Sequence, residues 1–421
     1  MGIWNFYRNQ IKMNLSELQM PFMNGKRLIT PCRGKHQPCQ PIPRKKMSGL
    51  YIHVPFCEKR CLYCDFYSNT DSRYKASYLE ALIQEMEMRK GYLQDEPLET
   101  IYLGGGTPSQ LSVAELERIF EAIYRNFRTT GEMEITLEAN PDDMTPGYVE
   151  ALQSLPVNRI SMGVQSFDEA DLKFLNRRHD KAEAVRAVAL CQKHHLYNIS
   201  IDLIYGLPEQ TAGKWEKNLT EALRLDIPHI SAYHIIYEEG TPLYRLLQSG
   251  EIHPVDEDTS LTLFSILIDR LAGAGFEQYE ISNFARPGYY SRHNSSYWQG
   301  KRYLGLGPSA HSYDGTEREW NVSSLAAWLK GIRQGVPALE KEPLDLNTRY
   351  NDYIITRLRT KWGIDLSEVS ALFGPEKLNY CLKMAKRHEE LGLLLQKDNK
   401  IILTRKGIFV SDSIMSDLLW V

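Results

Sequence analysis

The chain has 421 residues, 43% hydrophobic and 24% charged, which suggests two or three domains around a sizeable core. No apolar run approaches the ~20 residues of a membrane span, so no integral membrane segment is expected. The net charge of −3 divides unevenly: residues 1–48 hold nine Lys/Arg against one acid, so the body is acidic, which argues against nucleic acid as a partner because phosphates need a basic face.

Residues 1–48 show no period and gather proline and basic residues at 31–46, as a disordered extension does. Cys32 and Cys39 within it read as unpatterned tail thiols, with an accessory metal pair as the alternative. A basic, acid-poor start also suits an organellar transit peptide, and Met47, just ahead of SGLYIHVPF, suits a natural start. Seven cysteines, an odd number with no signal peptide before them, point to a reducing, cytoplasmic setting in which thiols serve as ligands.

The chain is organised around HVPFCEKRCLYCDFYS, residues 53–68. It places Cys57, Cys61 and Cys64 inside eight residues, too close for unstrained disulfides. Three thiolates are one short of a closed zinc or iron–sulfur site, and a metal held by three protein ligands keeps a position free for something exchangeable. On spacing alone a 4Fe–4S cluster with an open iron, a zinc site with a distant fourth ligand, and a chance cluster of buried cysteines all remain open.

From residue 50 to about 240 one unit repeats: an apolar run, a turn, then a helical pattern. The runs are LYIHV (50–54), TIYLGGG (100–106), EITLEAN (134–140), RISMGVQ (159–165), ISIDLIYG (199–206) and HISAYHII (229–236). They read as near-continuous apolar strands buried on both faces. Between them, Tyr78, Leu79, Leu82, Ile83 and Met86 share a helical face, and Ser112 with Glu115 forms a capping box. Six β–α units predict an all-parallel sheet, curled as a partial or full barrel or open and doubly wound.

Polar residues sit late in these strands: Gly104-Gly105-Gly106-Thr107-Pro108, Glu138, Asn140, Gln165, Asp202, Tyr233 and His234. C-terminal strand ends face the ligand in parallel α/β proteins, so these groups are expected to converge on one cavity with the cysteine loop at its rim. An internal hydrogen-bond network explains any one of them, but less well one per strand in register.

C-x3-C-x2-C with an aromatic before the last cysteine, GGGTP after the second strand, and the late Glu, Gln and Asp together resemble the radical S-adenosylmethionine superfamily, and within it the oxygen-independent coproporphyrinogen III oxidase group. The resemblance covers about residues 47–421. It implies a partial TIM-type (β/α)6 barrel, a 4Fe–4S cluster on Cys57, Cys61 and Cys64, and S-adenosylmethionine on the fourth iron. By motif position Tyr51 and Tyr63 would flank cluster and cofactor, Gly105, Gly106 and Thr107 would hold the methionine ammonium, and Glu138 the ribose hydroxyls. Gln165, Arg177 and Asp202 would complete the pocket, while Arg178 reads as part of the charged stripe of a surface helix. The oxidases carry a further cysteine two residues after the third ligand and a defined N-terminal segment. Here that position is Phe66 and residues 1–48 do not match, so CDFYS resembles instead the haem chaperone branch, HemW.

Farther on, Leu261, Leu263, Phe264, Ile266, Leu267 and Leu271 form a helix, and His293-Asn294-Ser295-Ser296-Tyr297-Trp298 matches the HNxxYW pattern of that branch. His293, a loop histidine among aromatics, is then the expected axial ligand of haem; a hydrogen-bonded structural histidine is the bland reading. GLGPSA (305–310) lacks a βαβ unit and is no dinucleotide loop. After a boundary near Pro337–Pro343, helices at 347–360 and 376–391 precede a hairpin turning at Lys397–Lys400, which predicts an α+β winged-helix-like domain. Its 12 Lys/Arg against 10 Asp/Glu give no basic face for DNA.

The expected domains are an extension (1–48), a radical SAM core (49–245), a barrel extension with HNxxYW (246–340) and a winged-helix-like domain (341–421). The leading expectation is a cytoplasmic haem chaperone that delivers haem to an acceptor such as a respiratory enzyme at the inner face of the membrane. The alternative is a radical oxidoreductase that decarboxylates porphyrinogen propionates after one-electron cleavage of S-adenosylmethionine.

Overall fold

The computed structural model describes residues 47–421, and the basic extension with Cys32 and Cys39 lies outside them. Six parallel strands run side by side in chain order: β1 (Ser48–Val54), β2 (Leu98–Gly105), β3 (Thr129–Ala139), β4 (Arg159–Gln165), β5 (Ile199–Tyr205) and β6 (His229–His234). Ser48, assigned from sequence to the extension, already belongs to β1. Beyond β6 the sheet turns antiparallel through β7 (Glu277–Glu280) and β8 (Asn283–Ala285), with β8 against β6. On the opposite edge β9 (Tyr303–Leu306) pairs parallel with β1, followed by antiparallel β10 (His311–Tyr313), β11 (Glu317–Asn321) and β12 (Leu339–Pro343). The sequence boundary near Pro337–Pro343 is thus the last strand of this sheet.

The strands alternate rather than run apolar throughout, which corrects the sequence reading. Leu50, Ile52, Ile101, Leu103, Ile160, Met162, Ile199 and Ile201 are fully buried against the helices outside. Their neighbours Tyr51, Thr100, Tyr102, Thr136, Glu138, Ser161, Ser200, Asp202 and His229 line the inside. Period-two alternation of this kind means one face is a dry core and the other a polar lumen.

Hydrogen bonds show that the sheet curls. Ser291 N–H donates to Tyr279 OH of β7 (3.4 Å), and His293, two residues on, bonds Thr100 Oγ1 of β2 through Nδ1 (2.8 Å). In a flat sheet with strands ~4.8 Å apart, β2 and β7 would be too remote for two such close residues to reach both. A partial barrel brings them round a shared interior.

The outer helices form where the sequence places their stripes. Tyr78, Leu79, Leu82 and Met86 are buried on the helix Lys75–Arg89, and the Ser112/Glu115 capping box starts the helix Val113–Asn126. Each box satisfies two otherwise orphaned N–H groups, worth about 1 kcal/mol. The C-terminal segment packs the helix Leu346–Leu358 with Leu366–Glu390, which breaks at Gly374 (φ 83°) before Pro375. With β13 (Ile364–Asp365), β14 (Leu394–Lys397) and β15 (Lys400–Leu403) in the order β13-β15-β14, this is the expected helices-then-hairpin module. Among the described residues no helix is long and apolar enough to cross a membrane.

Candidate functional site

The cysteine loop follows β1 directly, so it begins at the C-terminal edge of the parallel sheet. Backbone bonds staple it on two sides: Cys57 N–H donates to Asn69 O (3.0 Å), Leu62 N–H to Leu175 O (3.3 Å), and Leu243 N–H to Leu62 O (3.0 Å). All three thiols are unpaired and partly exposed. Thr107 Oγ1 donates to Cys57 Sγ (3.4 Å) and Arg177 Nη1 to Cys61 Sγ (3.1 Å). Burial pushes the Cys57 thiol up and the Cys64 thiol to about 12, so both carry protons at neutral pH until a metal displaces them.

The three sulfurs influence one another electrostatically. Yet no three His, Cys, Asp or Glu side chains among the described residues converge tightly enough for a single metal ion.

The glycine run after β2 brings backbone against backbone. A Cβ on Gly106 would stand 2.8 Å from Val54 O and Phe56 O, and one on Gly105 (φ +107°) only 2.4 Å from His53 Nδ1; glycine alone fits both places. Gly105 N–H donates to Glu138 Oε2 (3.1 Å) and Tyr102 OH to Oε1 (2.7 Å). Burial raises the Glu138 carboxyl against these bonds. Asp202, one strand over from Gln165, is pushed up to about 7, first by burial and then by Glu138.

Gln165 ends β4 at φ 69°, a left-handed backbone that costs a non-glycine residue of order 1–3 kcal/mol and persists where the surroundings enforce it. Arg177 links the rim to the lumen: Nη2 donates to Asn140 Oδ1 (2.7 Å) and Gly163 O (2.6 Å). Its buried Nε has no partner. That orphan donor, the glycine cradle and the two inward carboxylates fit a cofactor carrying a carboxylate, an ammonium and hydroxyls together. Tyr51 OH bonds His53 Nδ1 (3.1 Å) inside the lumen, while Tyr63 packs on the rim beside Leu175, Ile204 and Leu243.

Three placements differ from the sequence reading. His234 points outward, with Nε2 on Ser260 Oγ (3.1 Å), and leaves the cavity to Tyr233. Tyr233 is 42% exposed, and partial burial of its hydroxyl raises that group. Arg178 is no surface stripe; its side chain is 16% exposed and ion-paired to Glu58, Asp142 (2.8 Å) and Asp143 (2.9 Å).

His293 lies in a helix, Arg292–Trp298 capped by Ser291, not in a loop. It is 1% exposed, with Nδ1 on Thr100 Oγ1 and Nε2 on Tyr297 OH, both 2.8 Å. Burial lowers it to about 3. Both ring nitrogens are engaged, so this arrangement leaves none for haem iron. The helix instead plugs the N-terminal end of the barrel, its first N–H groups donating to the Glu134 carboxylate (2.9 Å each).

Arg159 escaped the sequence reading. It is 2% exposed, and its Nε and Nη1 have no partner. A basic residue opening a strand looks like an edge residue, and only the alternation Arg159, Ser161, Gly163, Gln165 gave a sign that it faces inward.

Residues 51–222 match the family model of the radical SAM superfamily, and residues 344–410 that of the HemN C-terminal domain. The chain is 32% identical to the haem chaperone HemW of Bacillus subtilis over 89% of its own length and 99% of that protein. It is 33% identical to the mitochondrial radical S-adenosyl methionine domain-containing protein 1 of Bos taurus, over 91% of this chain and 89% of that one. Among solved structures, the coproporphyrinogen III oxidase HemN of Escherichia coli superposes with a TM-score of 0.77 at 24% identity, over 90% and 91% of the two chains. That likeness supports the partial-barrel fold.

Proposed function

The chain belongs to the HemW haem chaperone family within the radical SAM superfamily, and from that premise we propose that it binds haem and hands it to an acceptor protein. A 4Fe–4S cluster and S-adenosylmethionine belong to the same reading. What favours the chaperone over the oxidase is a match spanning 99% of a curated haem chaperone, together with Phe66 where the resemblance gives the oxidases a cysteine. The acceptor in this reading is a haem-dependent protein at the inner face of a membrane, and the chain works in the cytoplasm, where its thiols stay reduced.

Cys57, Cys61 and Cys64 would hold the cluster, which when bound supplies a low-potential electron and one exchangeable iron position. Gly105, Gly106 and Thr107 would present backbone groups to the methionine end of the cofactor, and Arg177 Nε its unused donor. Glu138 and Asp202, both acceptors when ionised, would take hydroxyl donors. Tyr51 and Tyr63 would close the apolar sides, and Gln165 the far wall. A cofactor seated in this lumen would exclude water from the rim and strengthen each of these polar contacts.

The test is an anaerobic assay of reconstituted protein with haem and coproporphyrinogen offered separately. Saturable growth of a Soret band with haem, and no vinyl product from coproporphyrinogen, is expected. A flat haem titration sinks the chaperone reading, and vinyl porphyrinogen formed under reduction puts the oxidase in its place.

A further inference from the structure

Three successive residues after β4, Asn176, Arg177 and Arg178, all address the cysteine loop. Asn176 sits at φ 61°, a sharp left-handed turn, and its Nδ2 donates to Arg60 O (2.9 Å). Arg177 reaches Cys61 Sγ from inside (3.1 Å). Arg178 reaches Glu58, which lies between Cys57 and Cys61, from outside.

The same guanidinium holds Asp142 and Asp143 in the turn after β3. Asp143 is fixed in turn by Ser109 Oγ and Gln110 Nε2, both 2.6 Å, in the turn just past Thr107. Four segments of the rim thus meet at one cation: the cysteine loop and the turns after β2, β3 and β4.

We propose that Arg178 is a positioning residue, a latch that holds the cysteine loop closed against the sheet edge. The proposal rests on the cluster reading above. Glu58 is 64% exposed, and an ion pair of two free surface side chains would hold the loop only weakly. Arg178 differs because two anchored carboxylates pre-place its guanidinium, so little side-chain entropy is lost in meeting Glu58.

Removing Arg178 also leaves three carboxylates facing one another at the loop. Asp142 is already crowded, pushed to about 6 by burial and then by Asp143 in spite of the guanidinium at 2.8 Å. Its Oδ1 is buried and unpartnered. Like charges without a counter-ion push the Glu58 arm outward, and Cys57 and Cys61 flank that arm.

The experiment follows iron release from the anaerobically reconstituted full chain into a coloured ferrous chelator, with circular-dichroism melting of the same samples. Arg178→Gln is expected to lose iron about tenfold faster than the unaltered chain, Arg178→Lys at an intermediate rate because a point charge replaces a fork. Glu58→Gln should accelerate release less, and adding it to Arg178→Gln should change little. Melting of the metal-free proteins should stay within a few degrees, which a general folding defect would not allow. Release from Arg178→Gln at the unaltered rate overturns the latch; if that variant does not fold, an unaltered rate in Glu58→Gln does so. Failure of the unaltered chain to take up any cluster overturns the cluster reading itself, and the latch with it.

Discussion

Asp202→Asn separates stability from cofactor binding. The Asp202 carboxyl has a pKa of about 7 in the folded chain, against 3.8 in the reference state. Because this acid is raised, the native state keeps a proton that the unfolded chain loses from pH ~4 upward. Stability therefore falls as pH rises between about 4 and 7, and the loss is complete above 7. About three units at 1.36 kcal/mol each set a ceiling of roughly 4 kcal/mol. The side chain is partly open to the lumen, and water there screens the charge, so roughly 2 kcal/mol is the working figure.

Asparagine is neutral at every pH. In urea unfolding of the metal-free chain, the variant should match the unaltered protein near pH 4 and exceed it by roughly 2 kcal/mol at pH 8. Binding of S-adenosylmethionine should move the other way and weaken by about 10–100-fold, since a hydrogen bond to an ionised acceptor is lost. That pairing is the mark of a destabilised functional site. A variant less stable at both pH values, or one with unchanged cofactor affinity, refutes the reasoning and makes Asp202 a structural anchor.

Gly106→Ala places a Cβ 2.8 Å from two carbonyl oxygens of the segment that leads to Cys57. An overpacking cost of about 1–3 kcal/mol and a lower iron content per chain after reconstitution are expected, read by melting and iron assay. His293→Ala removes a buried ring with two hydrogen bonds and should cost roughly 2–4 kcal/mol in unfolding experiments. The haem titration midpoint should hold within about twofold; full stability with lost haem binding would restore His293 as the haem ligand.

The sequence carried much of this architecture because the signals were local. The capping box at Ser112 and Glu115, the helical stripe from Tyr78 to Met86 and the six strands each reflect short-range chemistry, and each is present. The gathering of Glu138, Gln165 and Asp202 at strand ends was legible for the same reason, since β–α order fixes which end faces a ligand. What stayed hidden depends on contacts far apart in the chain. Arg178 looked like a helix surface because Glu58 is 120 residues away, although Asp142-Asp143 near a strand end was a hint of a waiting cation. Arg89 shares a buried network with Glu85 and Glu319 (2.6 Å to the latter), where helical periodicity marks only a charged stripe. His293 was read as a loop residue because a pattern names residues without saying which element carries them or which end of a barrel they close.

In the proposed function three thiols hold a cluster whose remaining iron accepts a nucleotide from the lumen. The electron paramagnetic resonance spectrum of the reduced, reconstituted chain, taken before and after adding S-adenosylmethionine, reads that iron directly. A 4Fe–4S signal that changes shape on addition, and is lost when Cys57, Cys61 or Cys64 becomes serine, is the expected result. A signal indifferent to the nucleotide, or one that survives those substitutions, would contradict it.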